Sequence, residues 1–277
     1  MSRVPVGGAD VADVEPSAVV REIAAELALE GEILPVWRNQ VGGLTFRVGS
    51  EHHLKWAPDG RGLDLVAEAE RMAWARAYAV VPTVVGHGRA EDEAAPEDAR
   101  QGTWLVTRTL PGASAVAPRW LADPETAARA IGAGLRTLHD ALPVGECPFS
   151  WSARERLADA RDRADAGDGP ESWSPQHRTV PVAEALARLA DPPAPDLVVC
   201  HGDACAPNTL LDDDGAPAGH VDLGSLGVAD RWADLAVAAW STEWNYGPGY
   251  DAPLYEAYGI EPDAEKIAYY RLLWDLS

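Results

Sequence analysis

The chain changes texture near residue 111, and that change constrains its fold more than any other feature. Ahead of Leu110-Pro111-Gly112 the pattern is one of short β-like runs, at 44–48, 53–56, 80–85 and 104–109, punctuated by glycine-bearing turns. The first two runs, separated by Gly49-Ser50-Glu51, read as a hairpin. Helical periodicity at 16–29 (Val19, Val20, Ile23, Leu27) and 63–78 (Leu65, Ala69, Met72, Ala73) predicts two helices among them. Beyond residue 111 helical segments dominate, at 123–139, 151–166 and 182–190 and again toward Ser277. They are interrupted by β-like runs at 197–200, 209–211 and 219–222. This order predicts an α+β protein: a small β-rich N-terminal lobe over 1–110, a larger, mainly helical lobe over 111–277, and an interlobe cleft. The turn-rich stretches 91–102 and 168–178 predict a long, mobile hairpin loop and a surface insertion.

At 277 residues the chain is long enough for two lobes with full cores. Its 23 Lys and Arg against 44 Asp and Glu give a formal net charge of −21, a field that repels phosphate backbones and anionic membranes. Nucleic acid and membrane are therefore excluded as expected partners; the same field would draw in a polycationic ligand, although an acidic, Ala-rich surface is more often only a solubility feature. Cys147, Cys200 and Cys205 lack zinc-ligand spacing and are odd in number, which fits a reducing compartment. With no apolar run of about 18 residues and no basic leader, the expected location is the cytoplasm. Monomer and homodimer both remain open.

The chemistry is concentrated in His201-Gly202-Asp203-Ala204-Cys205-Ala206-Pro207-Asn208, followed after a short hairpin by His220-Val221-Asp222-Leu223-Gly224. This is the spacing of a kinase catalytic loop. One carboxylate (Asp203) accepts a hydroxyl proton, an amide five residues later (Asn208) holds Mg²⁺, and a second carboxylate (Asp222) bridges the metal to phosphates. In-line phosphoryl transfer needs charge neutralisation and an oriented nucleophile, and hard oxygen ligands suit Mg²⁺. Each side chain alone could equally cap a turn or end a strand; the three together point to function. His201 reads as a residue that holds the loop, His139 as a core histidine, and the cysteines as packing.

These strings, with 224–231 (Gly-Ser-Leu-Gly-Val-Ala-Asp-Arg), resemble the aminoglycoside 3′-phosphotransferase family. The likeness continues through Leu138-His139, Cys147-Pro148-Phe149 and Ile267-Ala268-Tyr269-Tyr270, covering the chain from about residue 37 onward. The resemblance implies a protein-kinase-like fold and ATP as phosphate donor, with GTP as the alternative. It also implies Lys55 as the phosphate-binding lysine and Glu68 as its helix partner, with Glu70 the competing one. Thr107 would line the adenine pocket, and Arg108 and Leu110 would offer backbone groups to the base. Residues 39–45 would cover the phosphates, unless they form a plain turn.

Where the family has carboxylates around a cationic acceptor, this chain departs from the pattern. Its insertion reads Trp173-Ser174-Pro175-Gln176-His177, Ser225 replaces an arginine, and the end is Trp274-Asp275-Leu276-Ser277. Asp275 and the terminal residue Ser277 remain as acceptor-side candidates, with Trp173, Trp240, Trp244 and Tyr246 as an aromatic wall or as helix packing. The expected acceptor is an amine-bearing antibiotic, with resistance as the outcome. A metabolic kinase of an amino sugar and a nucleotide-binding pseudokinase are the alternatives.

Overall fold

The computed structural model describes residues 11, 13–39, 42–60 and 62–277. They group into two compact units, one running to Gly112 and including Gly219–Gly224, the other comprising Ala113–Ala218 and Ser225–Ser277.

The first unit is built on an antiparallel sheet with strand order β1-β2-β3-β5-β4: β1 (Ile33–Arg38), β2 (Leu44–Val48), β3 (His52–Pro58), β4 (Val84–Glu91) and β5 (Gln101–Arg108). Strand alternation sends successive side chains to opposite faces. Leu54 and Trp56 of β3, with Phe46, Val48 and Val106, pack against Val19, Val20, Ile23 and Ala24 of helix α1 (Ala18–Glu26). Lys55, between them, is turned to the other face. There it meets helix α2 (Leu65–Ala75), whose N-terminus is capped by Asp64 accepting from the N–H groups of Val66 and Ala67.

Three departures from the sequence reading bear on the site. The edge strand β1 was not expected: Pro35 and a bulge before Trp37 break its alternation, as edges tolerate. The run 80–85 becomes a strand only from Val84, because Pro82 has no N–H to donate and the Val80 carbonyl accepts from His220 N–H instead (3.2 Å). The third strand of the later group is β9 (Pro217–His220), ending before Asp222, whose φ of 62° no strand can hold.

The second unit is mainly helical. Helices α4 (Pro124–Ala141), α7 (Trp232–Tyr246), α8 (Asp251–Tyr258) and α9 (Ala264–Leu276) enclose a core that includes Ile131, Leu135, Leu235, Leu254 and Leu273. Asp123 caps α4, its carboxylate accepting from Thr126 N–H. At Gly132 the backbone of α8 comes so close that a Cβ would lie 2.2 Å from the Leu254 carbonyl oxygen. Around these lie α3 (Pro118–Leu121), α5 (Ala153–Asp165) and α6 (Val182–Arg188). A two-stranded ladder pairs β7 (Leu197–Cys200) with β10 (Gly227–Asp230), and β6 (Ala113–Ser114) pairs with β8 (Thr209–Leu211). β9 continues that sheet and carries the chain into the first unit at Gly219.

Candidate active site

In the first unit, Lys55 Nζ donates to Glu68 Oε1 at 2.7 Å and also pairs with Asp222 Oδ1. The Glu68 side chain is only 6% exposed and Lys55 20%, so each ion is dry enough to need its partner, whereas Asp222 at 38% keeps an open side. Asp222 reaches this position because its φ of 62° turns the chain sharply after β9. A non-glycine residue held there stores strain of a kind that gathers at functional sites. Thr107 is buried on β5. Arg108 donates its backbone N–H to the Thr83 carbonyl (2.8 Å), so that N–H is already engaged. Leu110 follows just beyond the strand. The proposed phosphate-covering stretch 39–45 includes Gln40 and Val41, which lie outside the described residues; Asn39 Oδ1 accepts from Gly43 N–H at 2.7 Å.

In the second unit the loop after β7 is held by backbone-directed bonds. Asp234, near the start of α7, accepts from the N–H groups of His201 (2.6 Å) and Gly202 (2.9 Å). Gly202 has φ +85°, and a Cβ there would fall 2.1 Å from the Ser225 carbonyl oxygen. His201 is buried, and its Nδ1 accepts from Asp203 N–H at 3.2 Å. Asn208 Nδ2 donates back to the Asp203 carbonyl (2.9 Å), and Ala206 N–H is held by Ser241 Oγ (2.9 Å). The loop is thus fixed at both ends, and Asp203 lies between the fixed points. Its Oδ1 is buried without a hydrogen-bond partner among the described residues, so the protein leaves those lone pairs uncommitted. Because the amide nitrogen of Asn208 is used inward, its oxygen is the atom available to a hard cation, and Asp222 offers carboxylate oxygens of the same kind.

Asp234 is the functional residue that motif spacing missed. Burial alone would raise its pKa, but the hydrogen bonds it accepts from His139 and from the Gly202 N–H outweigh it and hold the carboxyl below the usual range. One sequence signal was available: a lone acid within the apolar run from Trp232 to Trp240. His139, Cys200 and Asp234 bring three metal-ligating atoms within 4.8 Å of one another. Each is already engaged, His139 by Asp234 and Tyr258, Cys200 by the Asp230 carbonyl, so the group is a hydrogen-bonded core. Burial pushes the Cys200 and Cys205 thiols well above their ordinary range, which leaves them inert as nucleophiles.

The acceptor-side candidates are engaged internally. Asp275 is 9% exposed and accepts from Ser174 N–H (3.2 Å), Ser174 Oγ (2.5 Å) and His177 Nδ1 (2.5 Å). The insertion expected at the surface is tied to α9, and Trp173, a candidate for the aromatic wall, is instead buried in the core. Ser277 Oγ accepts from Arg156 Nε and Nη2 (3.1 and 2.9 Å). Trp240 is 3% exposed, with its ring taken up by His177, Trp244 and the Arg271 guanidinium, whereas Trp244 is half-buried. Ser225 faces Gly202, and Trp274 lies 6.0 Å from the Arg156 guanidinium.

Comparison with known proteins adds the chemistry of relatives. The profile of the phosphotransferase enzyme family matches residues 39–270. Streptomycin 3″-kinase of Streptomyces griseus is 36% identical over 92% of this chain and 94% of its own length. The aminoglycoside 3′-phosphotransferase of Streptomyces fradiae is 38% identical over 78% and 81%. Aminoglycoside phosphotransferase APH(3″)-Id of Streptomyces rimosus, solved in complex with ADP and streptomycin, superposes with a TM-score of 0.69 at 29% identity, covering 92% of this chain and 98% of that one.

Proposed function

The chain belongs to the phosphotransferase enzyme family, and we propose that it is an ATP-dependent kinase that phosphorylates a hydroxyl of an aminoglycoside or related amine-bearing antibiotic and so confers resistance. The observation that carries this reading is the survival of every chemically required side chain in a family member: Lys55 bonded to Glu68 and Asp222, and Asp203 and Asn208 on one rigid loop. Residues 1–110 are the nucleotide-binding lobe and 111–277 the catalytic and acceptor lobe. GTP is the alternative donor.

Lys55 binds the donor's phosphate oxygens, and Glu68 keeps its ammonium group aimed. Thr107 and the backbone of Arg108 and Leu110 receive the base. Asn208 and Asp222 would hold Mg²⁺, which when bound neutralises charge on the phosphate oxygens. Asp203 accepts the acceptor hydroxyl's proton as that oxygen bonds to the γ-phosphorus and the bond to the β,γ-bridging oxygen breaks, releasing ADP. Asp275, Ser277 and Trp240 shape the acceptor wall from behind, since their polar atoms and rings are taken by neighbours. No described helix is long and apolar enough to cross a membrane, and the site of action is the cytoplasm, on a small cationic acceptor.

The test is to incubate purified protein with ATP, Mg²⁺ and a panel of aminoglycosides, other antibiotics and amino sugars, following ADP release and the mass of the acceptor. The reading requires an antibiotic that gains one phosphoryl group. Phosphorylation of an amino sugar alone would replace resistance by metabolism, and a protein that binds nucleotide but transfers to nothing would be a pseudokinase.

A further inference from the structure

The buried chain Tyr258–His139–Asp234 is used in no step above, yet the direction of every proton in it can be read. Arg231 Nη1 donates to the Tyr258 oxygen (3.0 Å), and a guanidinium can only donate. Tyr258 therefore accepts there, and its single O–H is left for His139 Nδ1 at 2.8 Å, which must accept. An imidazole that accepts at Nδ1 carries its proton on Nε2, and that N–H points at Asp234 Oδ2, 2.9 Å away. Asp234 completes the series by accepting from His201 N–H on the same oxygen and from Gly202 N–H on the other. Every donor has an acceptor. The other tautomer would set a bare nitrogen lone pair against a carboxylate where the side chains are 1% and 0% exposed.

Resting on the reading of Asp203 as proton acceptor, we propose that His139 and Tyr258 are positioning residues for phosphoryl transfer. Tyr258 fixes the proton on His139 Nε2, His139 holds Asp234, and Asp234 holds the backbone from which Asp203 projects. The three side chains come from α4, α8 and α7, so the close contact of α4 with α8 at Gly132 sets the catalytic loop's place. Asp196, bonded to Arg231 Nη2 at 3.0 Å, anchors the outer end of the series. Because the series touches neither nucleotide nor acceptor, its loss acts on turnover and spares binding.

The experiment compares His139→Gln, His139→Asn and Tyr258→Phe in the full chain, with kcat, both KM values, nucleotide affinity and thermal unfolding measured for each. Glutamine places an N–H where Nε2 stands, whereas asparagine reaches only to the Nδ1 position. The expected kcat loss is about tenfold or more for His139→Asn, since a bond to a charged group is removed, and within about threefold for His139→Gln. KM for ATP and acceptor stays within about twofold in both. Tyr258→Phe, which keeps the ring and its packing, lowers kcat severalfold with nucleotide affinity unchanged. Equal kcat losses in the two histidine variants, losses that appear in KM or track the fall in Tm, or full turnover in Tyr258→Phe overturn the proposal. A wild-type protein that transfers phosphate to no acceptor would instead overturn the functional reading, and this inference with it.

Discussion

The Lys55 ammonium group and the Glu68 carboxylate lie 2.7 Å apart, one on a strand and the other on the helix that covers its face of the sheet. Because Glu68 is nearly dry, removing the lysine leaves a buried charge without its counter-ion. Lys55→Met is expected to destabilise the protein by about 3 kcal/mol, and the double variant Lys55→Met/Glu68→Leu by clearly less. Urea unfolding of the single and double variants measures the difference. Both variants should also lose nucleotide affinity, since Glu68 serves the lysine and cannot replace it.

Asp203→Asn keeps the shape of the loop and the Asn208 bond to the residue 203 carbonyl, but removes the proton acceptor. A loss of about 10²- to 10⁴-fold in kcat is expected, with nucleotide affinity unchanged. Steady-state kinetics beside a direct nucleotide-binding measurement checks the split. Retained turnover would remove Asp203 from its role.

Gly202→Ala should fail sterically and conformationally together. The new Cβ would meet the Ser225 carbonyl oxygen at 2.1 Å, at a φ of +85° that alanine resists. A stability loss of at least about 2 kcal/mol is expected, with activity lost even below the lowered Tm, because the Asp234 bonds to residues 201 and 202 cannot both survive the displacement. Thermal unfolding and an assay at reduced temperature separate the two effects.

Three hydrogen bonds converge on Asp275 from Ser174 and His177. Asp275→Asn is therefore expected to act on stability, by about 1–3 kcal/mol, and to change the acceptor KM by less than about threefold. A large rise in acceptor KM at unchanged Tm would show that the carboxylate meets the acceptor itself.

The candidate catalytic loop was legible as a motif because phosphoryl transfer would confine its ligands to a short stretch: Asp203, Asn208 and Asp222 are spaced by a tight loop and one hairpin, and that chemistry would dictate residue types there. Lys55 and Glu68 were legible through strand and helix periodicity together with a family resemblance. Asp234 was not, because two of its three partners are backbone N–H groups of a distant segment, which leave no mark on sequence. The engagement of Asp275 was hidden for a related reason: whether a carboxylate is free or saturated depends on His177 and Ser174, which only packing brings to α9. The packing of Gly219–Gly224 with the first unit was equally invisible, since it depends on Val80 offering a carbonyl that Pro82 keeps out of the sheet.

The same Asp234 carboxylate ties the loop to pH. Burial works to raise its pKa, the hydrogen bonds from His139 and the Gly202 N–H work to lower it, and the lowering prevails, so the folded protein binds its proton less readily than the unfolded chain does. A carboxyl depressed on folding contributes stability that is present above its unfolded pKa, about 3.9, and is lost as pH falls through the folded value. Asp234→Asn removes that contribution at every pH and costs about 3 kcal/mol or more at neutrality, because the amide leaves one of three converging donors without an acceptor. The stability gap between wild type and Asp234→Asn should therefore be constant from pH 7 to about 4.5 and narrow as pH falls further. Urea unfolding across that range measures it. A gap that stays constant into acid would mean that Asp234 carries no depressed pKa and that the loop is held by geometry alone.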